Sequence, residues 1–231
     1  MSQAKKKHEA DKNRRHSRIS IVAGSVAVLL IAFVTVLVIN LGEQTESSQS
    51  GDDARLAALA SDHSPTIGNP TAKVHIVEFL DPACETCAVF FPMVKQWMTE
   101  APGQLRLSVR HVAFHSGSDY AVKILEASRK QDKYWQTLEA LLATQRQWAI
   151  NHTVQPDRVL PAIARVGLNL DQLAADMNGM EILTRMEQDK KDSILLKVSA
   201  TPEYFVNGRS LPSFGQQQLL DLVREELQKA Y

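Results

Sequence analysis

The segment Val74–Met98 constrains the fold of this chain more than any other part of its sequence. It begins with an apolar run rich in β-branched residues, which is typical of a buried strand, and Asp81 and Pro82 end that run. Cys84 and Cys87 follow, and beyond them apolar residues recur three and four positions apart, which predicts a helix. The sequence therefore predicts a strand that leads into the first turn of a helix, with two thiols at the junction.

The position of the first thiol predicts that it is reactive. Free N–H groups and the positive end of the helix dipole stabilise an anion at a helix N-terminus, so we expect a lowered pKa for Cys84. The thiolate is the species that attacks in disulfide exchange. Cys87 lies one helical turn further on, close enough to form a disulfide with Cys84. The pattern indicates that Cys84 attacks and that Cys87 resolves the mixed disulfide.

An acidic residue in the preceding strand supports this interpretation. Glu78 stands six residues before Cys84, inside an otherwise apolar run where an unpaired carboxylate is costly. A buried carboxylate behind a dithiol can accept or return the proton of the resolving thiol. Such a role would explain why a costly residue stands at this position. The alternative is a glutamate that points to solvent from the edge of the strand.

The cysteine count favours exchange over a structural role. The chain contains two cysteines, both in this motif, so no disulfide framework is possible within one chain. Half of a zinc site is the competing interpretation, but no second cysteine pair or closely spaced histidine pair supplies the missing ligands. Copper(I) suits thiolates, yet no methionine-rich tract accompanies them. We expect no metal and no cofactor.

The N-terminal part predicts a membrane anchor. Residues 1–18 carry seven Lys and Arg against two acidic residues, a net charge of +5, and residues 19–41 contain no charge. An apolar stretch of that length spans a hydrocarbon core of about 30 Å, and it exceeds the apolar region of a cleavable signal peptide. We therefore expect a cytoplasmic basic tail (1–18) that does not bind nucleic acid, a transmembrane signal anchor (19–41) and a flexible tether (42–66). The domain would lie outside the cytoplasm, on a bacterial inner membrane crossed once.

These features together resemble the thioredoxin superfamily, and more closely its DsbA-like branch. The matching residues are Glu78, the Cys84–Cys87 dithiol, Pro92 and the distant pair Thr201-Pro202, and the resemblance covers about residues 67–231. It implies an α/β thioredoxin fold with a helical insertion, preceded here by the transmembrane helix. It also implies a cis Pro202, with the backbone of Thr201 facing the dithiol and able to pair with an extended substrate peptide.

Sequence periodicity locates the remaining elements. Leu105, Leu107 and Val109 alternate with polar residues, including Arg110, which predicts a strand with one buried face. Helical periodicity then continues to about residue 198, and we assign 116–178 to the insertion. The predicted helices are 120–130, 134–143, 157–166, a short one that Asp171 caps, and 180–197, followed by a hairpin at 203–211 and a closing helix.

Side chains outside the motif receive a structural interpretation. Tyr134, Trp135 and Trp148 fall at helical spacing, so we assign them to the core and not to a peptide groove. We interpret His63, His115 and His152 as ordinary surface or loop histidines. The segment 62–70 contains two prolines and a glycine, which predicts a loop before the first strand.

The residues between the cysteines bear on the direction of the chemistry. The resemblance implies Pro-His there in strong oxidants, whereas this chain has Glu85-Thr86. A carboxylate beside Cys84 should raise its pKa, so we predict a less oxidising couple than DsbA. The resemblance implies thiol–disulfide exchange on exported cysteine-containing proteins, with a membrane redox partner that recycles the dithiol. A non-catalytic envelope chaperone or a thiol-based metal-binding module is the alternative.

Overall fold

The computed structural model describes residues 53–59 and 61–231. The predicted basic tail (1–18), the predicted transmembrane segment (19–41) and residues 42–52 of the predicted tether lie outside the described residues. Within the described part, no helix has both the length and the apolar character needed to cross a membrane. Residues 53–59 form helix α1.

A mixed five-stranded sheet lies at the centre of the domain. The described strands are β1 (Thr66–Gly68), β2 (Val74–Leu80), β3 (Leu105–His111), β4 (Ala149–Ile150), β5 (Thr153–Val154), β6 (Glu203–Val206) and β7 (Arg209–Ser210). The central sheet has the order β1-β3-β2-β6-β7, whereas β4 and β5 form a separate hairpin. Strands β2 and β3 run parallel and the other neighbours antiparallel.

Helices cover the sheet and fill the connection between β3 and β6. They are α2 (Glu85–Glu100), α3 (Ser118–Ser128), α4 (Tyr134–Ala143), α5 (Gln145–Trp148), α6 (Pro156–Ala162), α7 (Leu170–Asp176), α8 (Met180–Leu195) and α9 (Gln216–Ala230). Short 3-10 turns follow α3 and α6 at Arg129–Gln131 and Ala164–Val166. The predicted insertion is thus confirmed as a helical region. Its 134–143 helix is confirmed to the residue.

The alternation of side chains along β2 decides which residues meet the dithiol. Ile76 and Leu80 belong to the larger apolar cluster, which includes both cysteines, whereas Val77 and Phe79 belong to a smaller cluster on the other face. A strand buried on both faces needs apolar residues at consecutive positions, which accounts for the uninterrupted run in the sequence. The same alternation puts Glu78 on the face that carries the dithiol.

Two predictions about the polar and connecting segments were wrong. Part of the predicted loop 62–70 is strand β1, which pairs with β3. Gly68 has a φ of 106° there, and a Cβ would lie 2.5 Å from the Leu105 carbonyl oxygen, so this close pairing requires glycine. The side chain of Arg110 is fully buried, although the alternation had placed it on the exposed face of β3.

The insertion also departs from its prediction in detail. The hairpin β4–β5 interrupts the expected helical run, and Asn169 caps α7 in place of Asp171, accepting a hydrogen bond from the Gln172 N–H at 3.0 Å. Tyr134 and Trp148 are buried, 5% and 0% exposed, so their assignment to the core is confirmed.

Candidate active site

The dithiol lies at the junction between β2 and α2. Cys84 is the N-cap of α2 with extended backbone angles, and Pro92 lies inside the same helix. Both cysteines are free thiols, 6% and 0% exposed. The predicted cis peptide bond between Thr201 and Pro202 is present. The thiol of Cys84 donates a hydrogen bond to the Thr201 carbonyl oxygen at 3.1 Å, so the fold joins two segments that are 117 residues apart.

Hydrogen bonds lower the pKa of the Cys84 thiol to about 5. The largest contribution is the hydrogen bond from the Cys87 thiol, and burial opposes it. The side chain of Thr201 and the backbone of Cys87 and Thr86 also lower the pKa. The carbonyl oxygen of Thr201 can only accept a hydrogen bond, so it stabilises the protonated thiol of Cys84. The N–H groups at the start of α2 can donate hydrogen bonds, so they stabilise the thiolate. The rise in this pKa that was predicted from Glu85 is not found, and Glu85 is not among the main groups that shift it.

Cys87 has the opposite character. Burial raises its pKa well above the ordinary value, and the hydrogen bond with Cys84 and the charge of Glu78 raise it further. The hydrogen bond from the Cys87 thiol thus stabilises both the thiolate of Cys84 and the protonated form of Cys87. The geometry makes the two thiols chemically unequal before any substrate is present.

Glu78 is completely buried beside this pair. Burial raises the pKa of its carboxyl to about 8; an interaction with Tyr204, its cross-strand partner, opposes the shift, and the charge of Cys84 adds to it. Neither side-chain oxygen of Glu78 has a hydrogen-bond partner of good geometry among the described residues. The alternative of a solvent-facing glutamate was wrong, and the carboxyl is protonated near neutral pH.

Glu78→Gln should stabilise the reduced protein by about 3 kcal/mol at pH 7 and by almost nothing at pH 4. The unfolded chain ionises Glu78 above its ordinary pKa of 4.5, whereas the native state keeps the proton until about pH 8. The native state therefore loses stability as pH rises through that interval, and glutamine removes the loss. Denaturant titrations of both proteins at several pH values measure the difference.

Glu203→Gln provides the control for that experiment. Glu203 lies on the neighbouring strand β6 and is only partly buried, and burial raises the pKa of its carboxyl as well. We expect a smaller dependence on pH from its removal. A stability difference for Glu78→Gln that stays constant from pH 4 to pH 8 would show that Glu78 does not titrate as the structure indicates.

The residues between the cysteines face outward. Thr86 is half-buried and Glu85 is exposed. The Glu85 carboxylate lies 3.2 Å from Nδ1 of His152, which belongs to the β4–β5 turn. Glu85 therefore interacts with the insertion, which the sequence had not indicated.

Asp81 is a buried acceptor of several hydrogen bonds, whereas its sequence position had indicated only the end of a strand. Its side chain is 0% exposed. One carboxylate oxygen accepts hydrogen bonds from the Ala83 N–H at 2.8 Å and from the Ser118 hydroxyl. The other accepts from the N–H groups of Phe114 and His115 and from Nδ1 of His115, each at 2.8 Å. Asp81 thereby fixes the loop before Cys84 to the loop after β3.

Gln145 is a second residue that the sequence did not reveal. From α5 its buried amide donates to the carbonyl oxygens of Pro82 at 2.8 Å and Cys84 at 2.9 Å. The helical insertion therefore holds the backbone of the dithiol loop directly. No local pattern marks this glutamine, because its partners lie 63 and 61 residues away.

The histidines are more engaged than predicted. His63 lies 2.6 Å from Asp189, and His115 contacts Asp81, so neither is an ordinary surface histidine. The rings of His115 and His152 stack with their centroids 5.3 Å apart. The structure thus gathers His115, His152 and Glu85 next to the dithiol loop.

Known proteins resemble this chain over most of the described domain. A thioredoxin-like oxidoreductase from Silicibacter pomeroyi DSS-3 shares 29% identity and a TM-score of 0.64, over 76% of this chain and 98% of that one. The α-DsbA1 of Wolbachia pipientis shares the fold with a TM-score of 0.64 at 18% identity, over 77% of this chain and 97% of its own. The thioredoxin fold with a DsbA-like helical insertion is therefore present.

Curated relatives add a functional indication. Disulfide bond formation protein D of Bacillus subtilis (strain 168) is 25% identical over 195 residues, which cover 79% of this chain and 83% of that protein. The Na(+)/H(+) antiporter NhaA of Herminiimonas arsenicoxydans is 26% identical over 144 residues, and this chain spans only 22% of its length. The disulfide-forming relative and the fold support thiol:disulfide oxidoreductase activity. A family model described as thioredoxin matches residues 60–225, and the chain belongs to the thioredoxin family.

Proposed function

We propose that the protein catalyses thiol–disulfide exchange on exported proteins through Cys84 and Cys87. The observation that carries the proposal is the position of Cys84, at the start of α2 and 3.1 Å from the Thr201 carbonyl oxygen. An extended peptide that pairs with the backbone at Thr201 and Pro202 would bring its own sulfur to Cys84. The raised pKa of Cys87 and the lowered pKa of Cys84 agree with attack by Cys84.

Each direction of the reaction uses the two thiols differently. In reduction, the Cys84 thiolate attacks a substrate disulfide and releases one substrate thiolate; Cys87 then attacks the Cys84 sulfur and releases the second. In oxidation, a substrate thiolate attacks Cys84 in the Cys84–Cys87 disulfide and releases Cys87, and a second substrate thiolate displaces Cys84. In the fraction of molecules in which Glu78 is ionised, its carboxylate would take the Cys87 proton before resolution and return it in the reverse direction.

The reduction potential of the full chain should lie between about −270 mV, the value of thioredoxin, and about −120 mV, that of DsbA. A thiolate that is more stable in the reduced state makes the couple more oxidising. The pKa of Cys84 is about 5, between the values of about 7 and about 3.5 for those two proteins. Equilibration in glutathione buffers, followed by alkylation and mass spectrometry, measures the potential.

A paired variant sharpens this test. Exchanging Glu85-Thr86 for Pro-His should move the potential toward that of DsbA, since the carboxylate is removed and an imidazole is added. A potential near −120 mV in the unchanged chain would contradict the prediction. A dithiol that does not equilibrate with glutathione would contradict the exchange function itself.

The proposed setting is the outer side of a bacterial inner membrane. The uncharged stretch 19–41 after a basic tail supports a single membrane anchor with the domain outside the cytoplasm. The substrates would be exported cysteine-containing proteins, and a membrane redox protein would recycle the dithiol. Protease treatment of intact spheroplasts tests this topology, because the dithiol domain should be digested while the basic tail is protected.

A further inference from the structure

We propose that Glu85, His115 and His152 form a binding site for a divalent transition-metal ion such as Zn²⁺ at the edge of the dithiol loop. One ligand atom from each of the three side chains lies within 4.8 Å of the other two. Two imidazoles and one carboxylate are a ligand set that zinc uses in proteins. This site does not involve the thiols, so it differs from the thiol-based metal binding considered from the sequence.

His115 is oriented for such a role. Its Nδ1 lies 2.8 Å from a carboxylate oxygen of Asp81, whose side chain is fully buried. The same oxygen accepts hydrogen bonds from the N–H groups of Phe114 and His115, so it acts as an acceptor here. A ring proton on Nδ1 matches that geometry and leaves the lone pair of Nε2 for a ligand bond. A carboxylate behind a metal-binding imidazole fixes its tautomer and its orientation in this way.

The backbone of the insertion brings His152 to His115. Asn151 and His152 form the turn between β4 and β5, with φ values of 50° and 60°. The Val154 N–H donates to the Ser116 carbonyl oxygen at 2.9 Å, which ties β5 to the loop that carries His115. The two imidazoles are therefore neighbours because of main-chain pairing, and their stacking is not a chance contact of two mobile side chains.

Glu85 completes the set from the first position of α2. Its carboxylate lies 3.2 Å from Nδ1 of His152, and the two side chains are 52% and 66% exposed. Zinc bonds of about 2.0–2.2 Å place the ligand atoms of a tetrahedral site about 3.4 Å apart. The proposed site requires the side chains of Glu85 and His152, which are its exposed members, to adopt rotamers that reach that spacing. Three protein ligands leave a fourth position for water.

Titration of the full, untagged chain with ZnCl₂ tests the proposal in a Cys84→Ser/Cys87→Ser background. Removing the thiols excludes the Cys-x-x-Cys motif as the ligand, and it makes the result independent of any exchange activity. We expect a zinc site in this background. His152→Asn should weaken its affinity by at least about tenfold, because a first ligand matters no less than the outer-shell partners whose loss costs 10–100-fold. Asparagine tolerates the positive φ of the turn, so the hairpin should persist.

Matched variants separate the site from general effects of charge. Glu85→Gln should weaken zinc binding, whereas Glu139→Gln, with a side chain 51% exposed in place of 52%, should not. His16→Asn removes a histidine of the N-terminal tail, and it should leave the zinc affinity unchanged if the effect of His152→Asn is specific to the site. Co²⁺ bound to the thiol-free variant should give visible absorption that His152→Asn abolishes. Equal zinc affinity before and after His152→Asn, or no binding without the thiols, would overturn the proposal and leave Glu85 and His152 as a simple surface pair.

Discussion

Cys84→Ser should lower the rate of thiol–disulfide exchange by at least about a thousandfold, a conservative figure for the loss of a covalent nucleophile. A serine hydroxyl cannot form the mixed disulfide through which both directions of the reaction pass. Cys87 cannot replace it as the attacking thiol, because it is 0% exposed and burial raises its pKa well above the ordinary value. The rate of oxidation of a reduced two-cysteine peptide by the oxidised full chain, compared with the variant, measures the effect.

Cys87→Ser is the matched variant for this experiment. It retains Cys84 but lacks the resolving thiol, so incubation with a disulfide-containing peptide should accumulate a mixed disulfide that mass spectrometry detects. Exchange that survives Cys84→Ser would show that Cys87 attacks and that the assigned roles are reversed. If both variants keep a protective effect on unfolded proteins, the chaperone alternative gains support.

The core of the site could be predicted because its residues are chemically unusual for their positions. A dithiol at the start of a helix and a glutamate in an apolar strand are visible in the sequence, and the strand alternation is enough to put Glu78 on the dithiol side. Asp81 and Gln145 could not be predicted in the same way. Their partners are mostly backbone groups from 33 to 63 residues away, and no local pattern records such a contact.

The secondary structure likewise contains elements that could be predicted from the sequence and elements that could not. Helix α4 was predicted to the residue because several of its side chains establish a helical period. Strand β1 and the hairpin β4–β5 were missed because segments of two or three residues are too short to show one. Strand β3 was predicted, but the exposure of Arg110 was wrong for a different reason. Arg110 occupies a polar position in the alternation and is buried by helix α8, which follows much later in the chain.

Arg110 connects three distant segments in the interior. Its Nε donates to Asp189 at 2.7 Å, another nitrogen donates to Asp192, and a third donates to the Ala58 carbonyl oxygen in α1. The guanidinium also lies 5.4 Å from the centre of the Phe79 ring. Strand β3, helix α8 and helix α1 therefore share one buried cation, which satisfies two carboxylates that have little access to water.

Arg110→Met should lower the free energy of unfolding by about 3–5 kcal/mol, the cost of removing one member of a buried ion pair. Methionine fills much of the volume, so the loss reports the unpaired carboxylates and not a cavity. Burial alone would raise the pKa of Asp189, but hydrogen bonding to His63 and the charge of Arg110 hold it below the ordinary value. The variant should raise that pKa. Urea titration of the full chain near neutral pH measures the stability change.

Arg209→Met distinguishes burial from simple loss of charge. Arg209 also pairs with two carboxylates, Glu225 and Glu226, but its side chain is 45% exposed. When the guanidinium is gone, water can solvate the exposed Glu225, and Asn207 and Lys229 still donate hydrogen bonds to Glu226. We expect its urea midpoint to remain close to that of the unchanged chain. If Arg110→Met shifts the midpoint no further than Arg209→Met does, the buried cation is not what holds α1 and α8 to β3, and apolar packing around Phe79 must supply that attachment.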